Sequence, residues 1–423
     1  MLDIKFVQDN AASIKKDLGK RGDKEKAEWV DELVKKHTQF KQLKEDNDKL
    51  RNKRNVITRE INELRKEGKD IKAAVKEAKE IPAKIADSDK KLETLQERIT
   101  FILQRLPNVL HESVPTGKDD SGNKEVRKWG TPKKAEEKKS HGELLEEKGL
   151  ADFSRATKVS GAGFYYIKGD LVKLEMALID FAVRELEANG FVPIIPPFIM
   201  RRKPYEGVVA LADFENVMYK IEGEDAYMIA TSEHPIAAMH MNETFEEKEL
   251  PIKYCGISTN FRREIGSHGV DTRGLFRVHQ FSKVEMFVFS NAKDSWKIHE
   301  ELLAIAESIV KKLKIPYRVV NICTGDIGMI AAKKYDIEAW SPRQEKYTEI
   351  ISCSNCTNYQ AVSLNIKYRT GEEKEYVHTL NSTAIATSRM LVAIIENFQN
   401  KDGSIDVPEV LQKFMGKKVI GKP

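Results

Sequence analysis

The chain has 423 residues, 40% of them hydrophobic, and its 71 Lys and Arg against 66 Asp and Glu leave a formal charge of +5. That apolar content excludes a disordered chain, and at roughly 150 residues per domain the length points to two domains. A charge so close to balance neither demands nor excludes a nucleic-acid partner, so its location matters more than its sum.

The N-terminal stretch MLDIKFVQDN has no apolar targeting core, and no run of about 18 apolar residues follows anywhere. A soluble, cytoplasmic protein with no membrane partner is expected. From about Glu25 to Leu64 apolar residues recur at three-and-four spacing: Val30, Leu33, Phe40, Leu43, Leu50, Ile57, Ile61 and Leu64. His37, Asn47 and Arg54 interrupt that stripe. After a turn near EGKDIK the pattern resumes at Val75, Ala78, Ile85, Leu92, Leu95, Ile99, Ile102 and Leu106, and Pro107 stops it. Pro82 is expected to kink the second helix or delay its start. Two antiparallel helices joined by a short polar turn form a hairpin projecting on the order of 50 to 60 Å. Periodicity alone favours a dimerisation coiled coil, and the basic clusters at Lys15 to Lys26 and Arg51 to Arg54 read as solvated faces.

Residues 111–140, rich in Gly, Asp, Ser and Lys, read as a linker. Beyond them Leu171 to Leu186, Trp296 to Lys312 and Ala386 to Asn397 read as helices. FVPIIPPFIM, FRVHQF, KVEMFVFS, YRVVNIC, YTEIISCS and AVSLNIKY read as strands. Their close succession favours an antiparallel sheet and an α+β fold. Four cysteines, Cys255, Cys323, Cys353 and Cys356, are too few and too clustered for a disulfide framework. Cys353 and Cys356 form a CxxC with no second CxxC or close His pair, so they read as buried thiols and no structural zinc is expected.

The chemistry concentrates in FRREIGSHGVDTRGLFRVHQFSKVEMF, residues 261–287, where Arg262, Arg263, Arg273 and Arg277 surround Glu264, Asp271 and Glu285 around a glycine-rich turn. On a strand Arg262 and Glu264 share a face, a pairing suited to a phosphate and an amino group of a base; a cross-strand ion-pair ladder is the plain alternative. Thr231, Ser232 and Glu233 follow an apolar run. Glu349 and Ser352, three apart in TEIIS, are oxygen donors of the kind Mg²⁺ accepts near phosphates. LNSTAIATSRMLVAIIENF reads as a helix start with Ser and Thr at its N-terminus and Arg389 just inside, favourable to anions.

Taken in order, the helical hairpin, LPNVLHESVP through KWG, the TSE triplet, the FRRE to KVEMF block, EAWSPRQEKYTEIISCSNC and NSTAIATSR resemble the class II aminoacyl-tRNA synthetases, and more narrowly the seryl-tRNA synthetase family. The resemblance covers essentially the whole chain. It implies an antiparallel sheet of roughly six or seven strands flanked by helices, with a long N-terminal antiparallel helical hairpin, in a homodimer. It divides the chain into a tRNA-binding arm at 1–110, a linker at 111–140 and a catalytic domain at 141–423. It implies activation of L-serine with ATP to seryl-adenylate, then transfer to tRNA(Ser), with tRNA(Sec) as an open second acceptor.

By the same resemblance Arg262 holds the α-phosphate, Glu264 the adenine amino group and the backbone near Val278 the base, while Arg389 faces the β- and γ-phosphates. Arg263, Ile350 and Ile351 join the ATP site, Glu349 and Ser352 carry Mg²⁺, and Thr231, Ser232, Glu233, Glu285 and Thr383 surround serine. GFVPIIPP resembles the dimer-forming motif. Displacement at the α-phosphate needs charge neutralisation and alignment more than a base, so His268 and His279 read as bystanders. Two departures stand out. Ser382 and Thr383 replace the Gly-Ser usual in bacterial members, and Val362 and Ser363 replace two usual arginines, so the contact those would make with the tRNA acceptor end does not carry over. Two rivals remain: a synthetase-like ligase loading a carrier protein, whose relatives lack the arm, and a silent RNA-binding or coiled-coil partner, expected to have lost Arg262, Glu349 or Arg389.

Overall fold

The computed structural model describes residues 1–134, 139–209, 217–264 and 274–421. It divides into two units, Leu2–Leu106 and the rest, with Met1 joining the second. The first unit is helical: α1 (Ile4–Asp9), α2 (Ala11–Lys20), α3 (Lys24–Lys66) and α4 (Lys72–Leu103). The two short helices escape a periodicity search because neither offers more than a turn or two of stripe. At 43 residues α3 extends about 64 Å. Ile57 of α3 meets Ile81 and Ile85 of α4, flanked by Leu50 and Ile61. Asn47, read as an interruption of the stripe, is buried and donates to Asp89 at 2.6 Å, while Arg51 bridges the same carboxylate at 2.8 Å. Pro82 does not delay α4, which begins ten residues earlier; the flanking Ile81 and Ile85 lock that turn against Ile57 and offset the lost amide bond.

The second unit is built on one eight-stranded sheet. Numbering only its strands, these are β1 (Lys124–Trp129), β2 (Val192–Ile194), β3 (Ile252–Phe261), β4 (Gln280–Ser290), β5 (Tyr317–Asn321), β6 (Lys333–Ser341), β7 (Lys346–Asn355) and β8 (His378–Ala386). Their spatial order is β1-β5-β6-β7-β8-β4-β3-β2. Every pair is antiparallel except the outer pair of β2 and β3. The sheet exceeds the roughly six or seven strands expected because residues 111–140, read as a linker, contribute β1, which pairs with β5. FVPIIPPFIM breaks into β2 and a separate strand, Ile199–Arg201, since Pro196 and Pro197 between them have no amide to donate.

Alternation along β4 sorts its residues. Val284, Met286 and Val288 enter a core with helices Asp170–Glu187, Ser295–Lys312 and Thr387–Phe398, while Phe287 and Phe289 enter a second core with Tyr205, Ile229 and Ile236. Lys283 and Glu285 share the face of Phe287 and Phe289 but lie beyond that second core, at the open end of the sheet.

Three expectations are corrected. FRVHQF is strand only from Gln280; AVSLNIKY starts in a helix, Tyr359–Leu364, before a strand at Lys367; and LNSTAIA completes β8, so the helix starts at Thr387. The glycine-rich turn, with Gly266, His268, Gly269, Asp271 and Arg273, lies outside the described residues. No described helix is long and apolar enough to cross a membrane.

Candidate active site

A cleft opens on the sheet. Arg262, Glu264, Val278, Glu349, Ile350, Ser352, Thr383 and Arg389 line it, together with Phe276, Phe281 and Lys283. Arg262 and Glu264 do share the cleft, although β3 has ended at Phe261 and strand geometry does not put them there. The Arg262 amide donates to His279 O at 2.9 Å, and its side-chain Nε donates to Ala230 O at 3.2 Å, with the guanidinium 5.2 Å from the Phe281 ring centre.

Glu349 and Ser352 reach the same cleft by a different device. In a regular strand, residues three apart face opposite ways. Between β6 and β7 the register slips: Ser352 pairs with Asp336 and Ile351 with Ile337, but Glu349 pairs with Glu338. The extra residue, Ile350, turns Glu349 back to the side of Ser352. A second slip between β8 and β4 pairs Thr383 with Glu285 and Ala386 with Lys283, gathering those four on one face.

Lys283 joins the floor of the cleft to a buried polar cluster whose other members do not line the cleft and which centres on Glu285 Oε2. Thr231 Oγ1 donates to it, as do Ser232 Oγ at 3.3 Å, the Glu233 amide at 3.3 Å and Lys283 Nζ at 2.6 Å. Ser232 lies fully buried beneath the cleft against Gly256, where a side chain on the glycine would meet the Ser232 hydroxyl at 2.6 Å. Gln360 Nε2 donates to Glu233 Oε1 at 2.9 Å and is itself held by Thr379. Burial, then the neighbouring Glu285, raises the Glu233 carboxyl to about 7 against the opposing pull of Lys283.

At the other end Arg389 donates to Glu349 O at 3.1 Å and pairs with its carboxylate at 3.2 Å. Burial would raise Glu349, but Arg389 and Lys334 outweigh it and hold the carboxyl at about 2. Burial lowers Arg262, and the like charge of Arg389 lowers it further. Two guanidinium groups thus face one cleft, an arrangement that a polyanion would relieve. Asp336, directly across from Ser352, is pushed up to about 7 by burial despite Lys334, and its Oδ1 is buried without a partner.

Two residues expected at the ATP site do not line this cleft. Arg263 faces away, lining a separate pocket with Arg202, Tyr219, Lys220 and Tyr227, as successive residues of an extended chain must alternate. Ile351 points into the helix-side core. Three residues went unread. Lys283 was legible from its i, i+2 relation to Glu285. Phe276, over which Arg389 sits at 5.4 Å, is fixed by His141, whose Nε2 accepts from the Leu275 amide at 3.1 Å. Gly274 passes so close to that ring that any side chain would meet it at 2.2 Å. Gln360 carried no sequence signal. Ser363, where the family usually has arginine, accepts from the Met1 amino group at 2.7 Å.

Comparisons with known proteins identify the family. The description "Seryl-tRNA synthetase N-terminal domain" matches residues 1–110, and "tRNA synthetase class II core domain (G, H, P, S and T)" matches residues 217–398. The chain is 57% identical over 422 residues to a serine–tRNA ligase of Methanoregula boonei, covering 99% of each. It is similar in structure to the seryl-tRNA synthetase of Pyrococcus horikoshii complexed with ATP, with TM-score 0.93, 48% identity and 99% coverage of both chains. A cytoplasmic serine–tRNA ligase from Naegleria fowleri in complex with AMP follows at TM-score 0.86 and 37% identity, covering 99% of this chain and 98% of that one.

Proposed function

The chain belongs to the seryl-tRNA synthetase family and is a serine–tRNA ligase, and from that premise we propose how its residues divide the reaction. A carboxylate oxygen of serine attacks the α-phosphorus of ATP, the bond to the β-phosphate oxygen breaks, and pyrophosphate leaves; the terminal ribose hydroxyl of tRNA then attacks the acyl carbon and AMP leaves. Arg262 holds the serine carboxylate and α-phosphate in line. Arg389 exchanges Glu349 for the β- and γ-phosphates. Glu264 and the backbone at Val278 receive adenine, and Phe276 offers it an aromatic face. The observation that carries this division is a cleft lined by Arg262, Arg389 and Lys283, with Lys283 bonded directly to Thr231 and Glu285 of the buried Thr231–Glu233–Glu285 cluster.

Glu349 and Ser352, brought to one face by the bulge, fit Mg²⁺ that arrives with ATP, and the unpartnered Oδ1 of Asp336 offers a further oxygen beside Ser352. Bound there, the ion would neutralise phosphate charge. The homodimer is supported by the outer strand β2 and its surroundings, where Met176, Val192, Ile195 and Ile199 are 50% to 70% exposed. We place the enzyme in the cytoplasm.

Serine selection tests the cleft floor. Thr383 sits opposite Glu285 in the sheet, so its methyl limits the room for a larger substrate. Thr383→Ser should relax exclusion of threonine by about 1 to 3 kcal/mol, read as the serine-to-threonine ratio of kcat/KM in pyrophosphate exchange. An unchanged ratio would remove Thr383 from the pocket.

Glu233 makes serine binding depend on pH. Its folded carboxyl is raised to about 7, so below that pH it holds a proton and loses the negative charge that would pair with the serine ammonium. The KM for serine should therefore fall about tenfold as pH rises from 6 towards 8 and then level off, with Glu233→Gln flattening the profile. A flat KM in the parent enzyme over that range would contradict the assignment.

A further inference from the structure

Lys283 has no chemical role in this division, yet it lies at its centre. It stands two residues before Glu285 on β4 and is only 6% exposed. Its Nζ is 2.6 Å from Thr231 Oγ1 and 2.6 Å from Glu285 Oε2. Both belong to the cluster that, with Glu233, is read above as surrounding serine, so a substrate ammonium reaching Glu233 also comes up against them. In the free enzyme the lysine ammonium thus occupies a place that the substrate ammonium needs, and two such cations would repel at one carboxylate oxygen. The other charged groups facing Lys283 are Glu233, already bonded to Gln360, and Arg262, which repels it; His234 nearby is kept neutral by burial.

A displaced, buried ammonium must find another anion, because leaving it unpaired is costly. The anions that arrive with the substrates are the serine carboxylate and the ATP phosphates, and Lys283 lines the same cleft as Arg262, Thr383 and Arg389. Its flexible four-carbon stem lets the head group pivot where a guanidinium fork would have to rotate as a plate.

We propose that Lys283 is a further catalytic residue, resting on Thr231 and Glu285 in the empty cleft, displaced by the serine ammonium, and then paired with the serine carboxylate and an α-phosphate oxygen as the acyl–phosphate bond forms. This rests on the reading of the cleft as the serine-activating site. Lys283 neither gives nor takes a proton; pyrophosphate departs with the electron pair of the broken bond, and the lysine and Arg262 together balance charge on the non-bridging oxygens.

The test uses the full-length enzyme with Lys283→Met, which keeps the stem and removes the charge, and Lys283→Arg, which keeps the charge. The probes are seryl-sulfamoyl-adenosine, which carries the acyl-phosphate-like anion, and serinamide, which carries the ammonium and hydroxyl without a carboxylate. In Lys283→Met the exchange rate constant should fall about 100-fold or more and the sulfamoyl probe should weaken comparably, while serinamide binds as well as before or better because its competitor is gone. Lys283→Arg should recover at least about tenfold of the lost rate. If serinamide weakens as much as the sulfamoyl probe, Lys283 only organises Glu285 and the proposal fails; exchange within about tenfold of the parent also overturns it. Should Lys283→Met not fold, Lys283→Gln is read by the same two probes. Absence of serine-dependent exchange in the parent would instead overturn the reading of the cleft itself.

Discussion

Arg262→Ala and Arg389→Ala are each expected to lower serine-dependent pyrophosphate exchange by about 10² to 10³, equivalent to roughly 3 to 4 kcal/mol of transition-state stabilisation. Arg262 is fixed before any substrate arrives: its side chain is tied to Ala230 O, its amide to His279 O, and its guanidinium lies by Phe281. A donor held in place needs no reorganisation when charge develops at the α-phosphate, which is why its loss should appear mainly in the rate constant. Arg389 differs, since it must leave Glu349 to reach a phosphate, so Arg389→Ala should raise the KM for ATP as well. Neither change should unfold the protein. Each removes one of two like charges facing the same cleft, and the Glu349 carboxylate left behind by Arg389 still has Lys334 and Arg262 near it. Thermal melts without ATP should therefore stay close to the parent, while the stabilisation by added ATP should shrink. Exchange within about tenfold of the parent for either variant would remove that arginine from the phosphate site.

The sequence made the arm and the order of the catalytic elements legible because both depend on period: a 3.6-residue stripe in α3 and α4, and alternation in β4 and β7. The site was legible mainly through type and order of residues, and less through local geometry. Spacing in TEIIS argues against Glu349 and Ser352 meeting, since a strand sends them to opposite faces; only the slip against β6 unites them, and a bulge leaves little trace in a single sequence. Arg263 and Ile351 show the converse. Both adjoin site residues in the chain, and both are carried away by the alternation that brings their neighbours in. Gln360 could not be read at all, because a helix far along the chain delivers it to Glu233 through tertiary packing. The segment read as a linker hid β1, whose Lys, Glu, Val and Arg have no alternating apolar face because it is an outer strand, mostly exposed along its length.

Replacing residues 41–94 with a short Gly/Ser turn should leave seryl-adenylate formation within about twofold of the parent and the dimer intact, while charging of tRNA falls by about 10² or more. The argument starts from what the hairpin does with its apolar surface. The α3 and α4 stripes face each other through Ile57, Ile81 and Ile85, and polar pairs lock the seam: Asn47 with Asp89, and Glu32 with Arg98 at 2.7 Å. Along the described hairpin the exposed large apolar side chains are Val56 and Phe101, and Phe101 is covered by the guanidinium of Arg105 at 3.8 Å. A dimerisation coiled coil needs a second apolar seam, and two scattered residues do not make one. What the outer surface does carry is charge, including the exposed run of Arg51, Lys53 and Arg54. We therefore propose the arm as an RNA-reading lever that contacts phosphates and reads shape, and charging by the intact enzyme should weaken steeply with salt while pyrophosphate exchange does not. Cutting at 41 and 94 retains the Glu32–Arg98 pair and the packing of α2 on α3, so the base of the unit should stay folded. A truncated protein that became monomeric and still charged tRNA(Ser) at the parent rate would make the arm a dimerisation element and overturn this reading; tRNA(Sec), assayed beside it, should show the same dependence on the arm if it is a second acceptor.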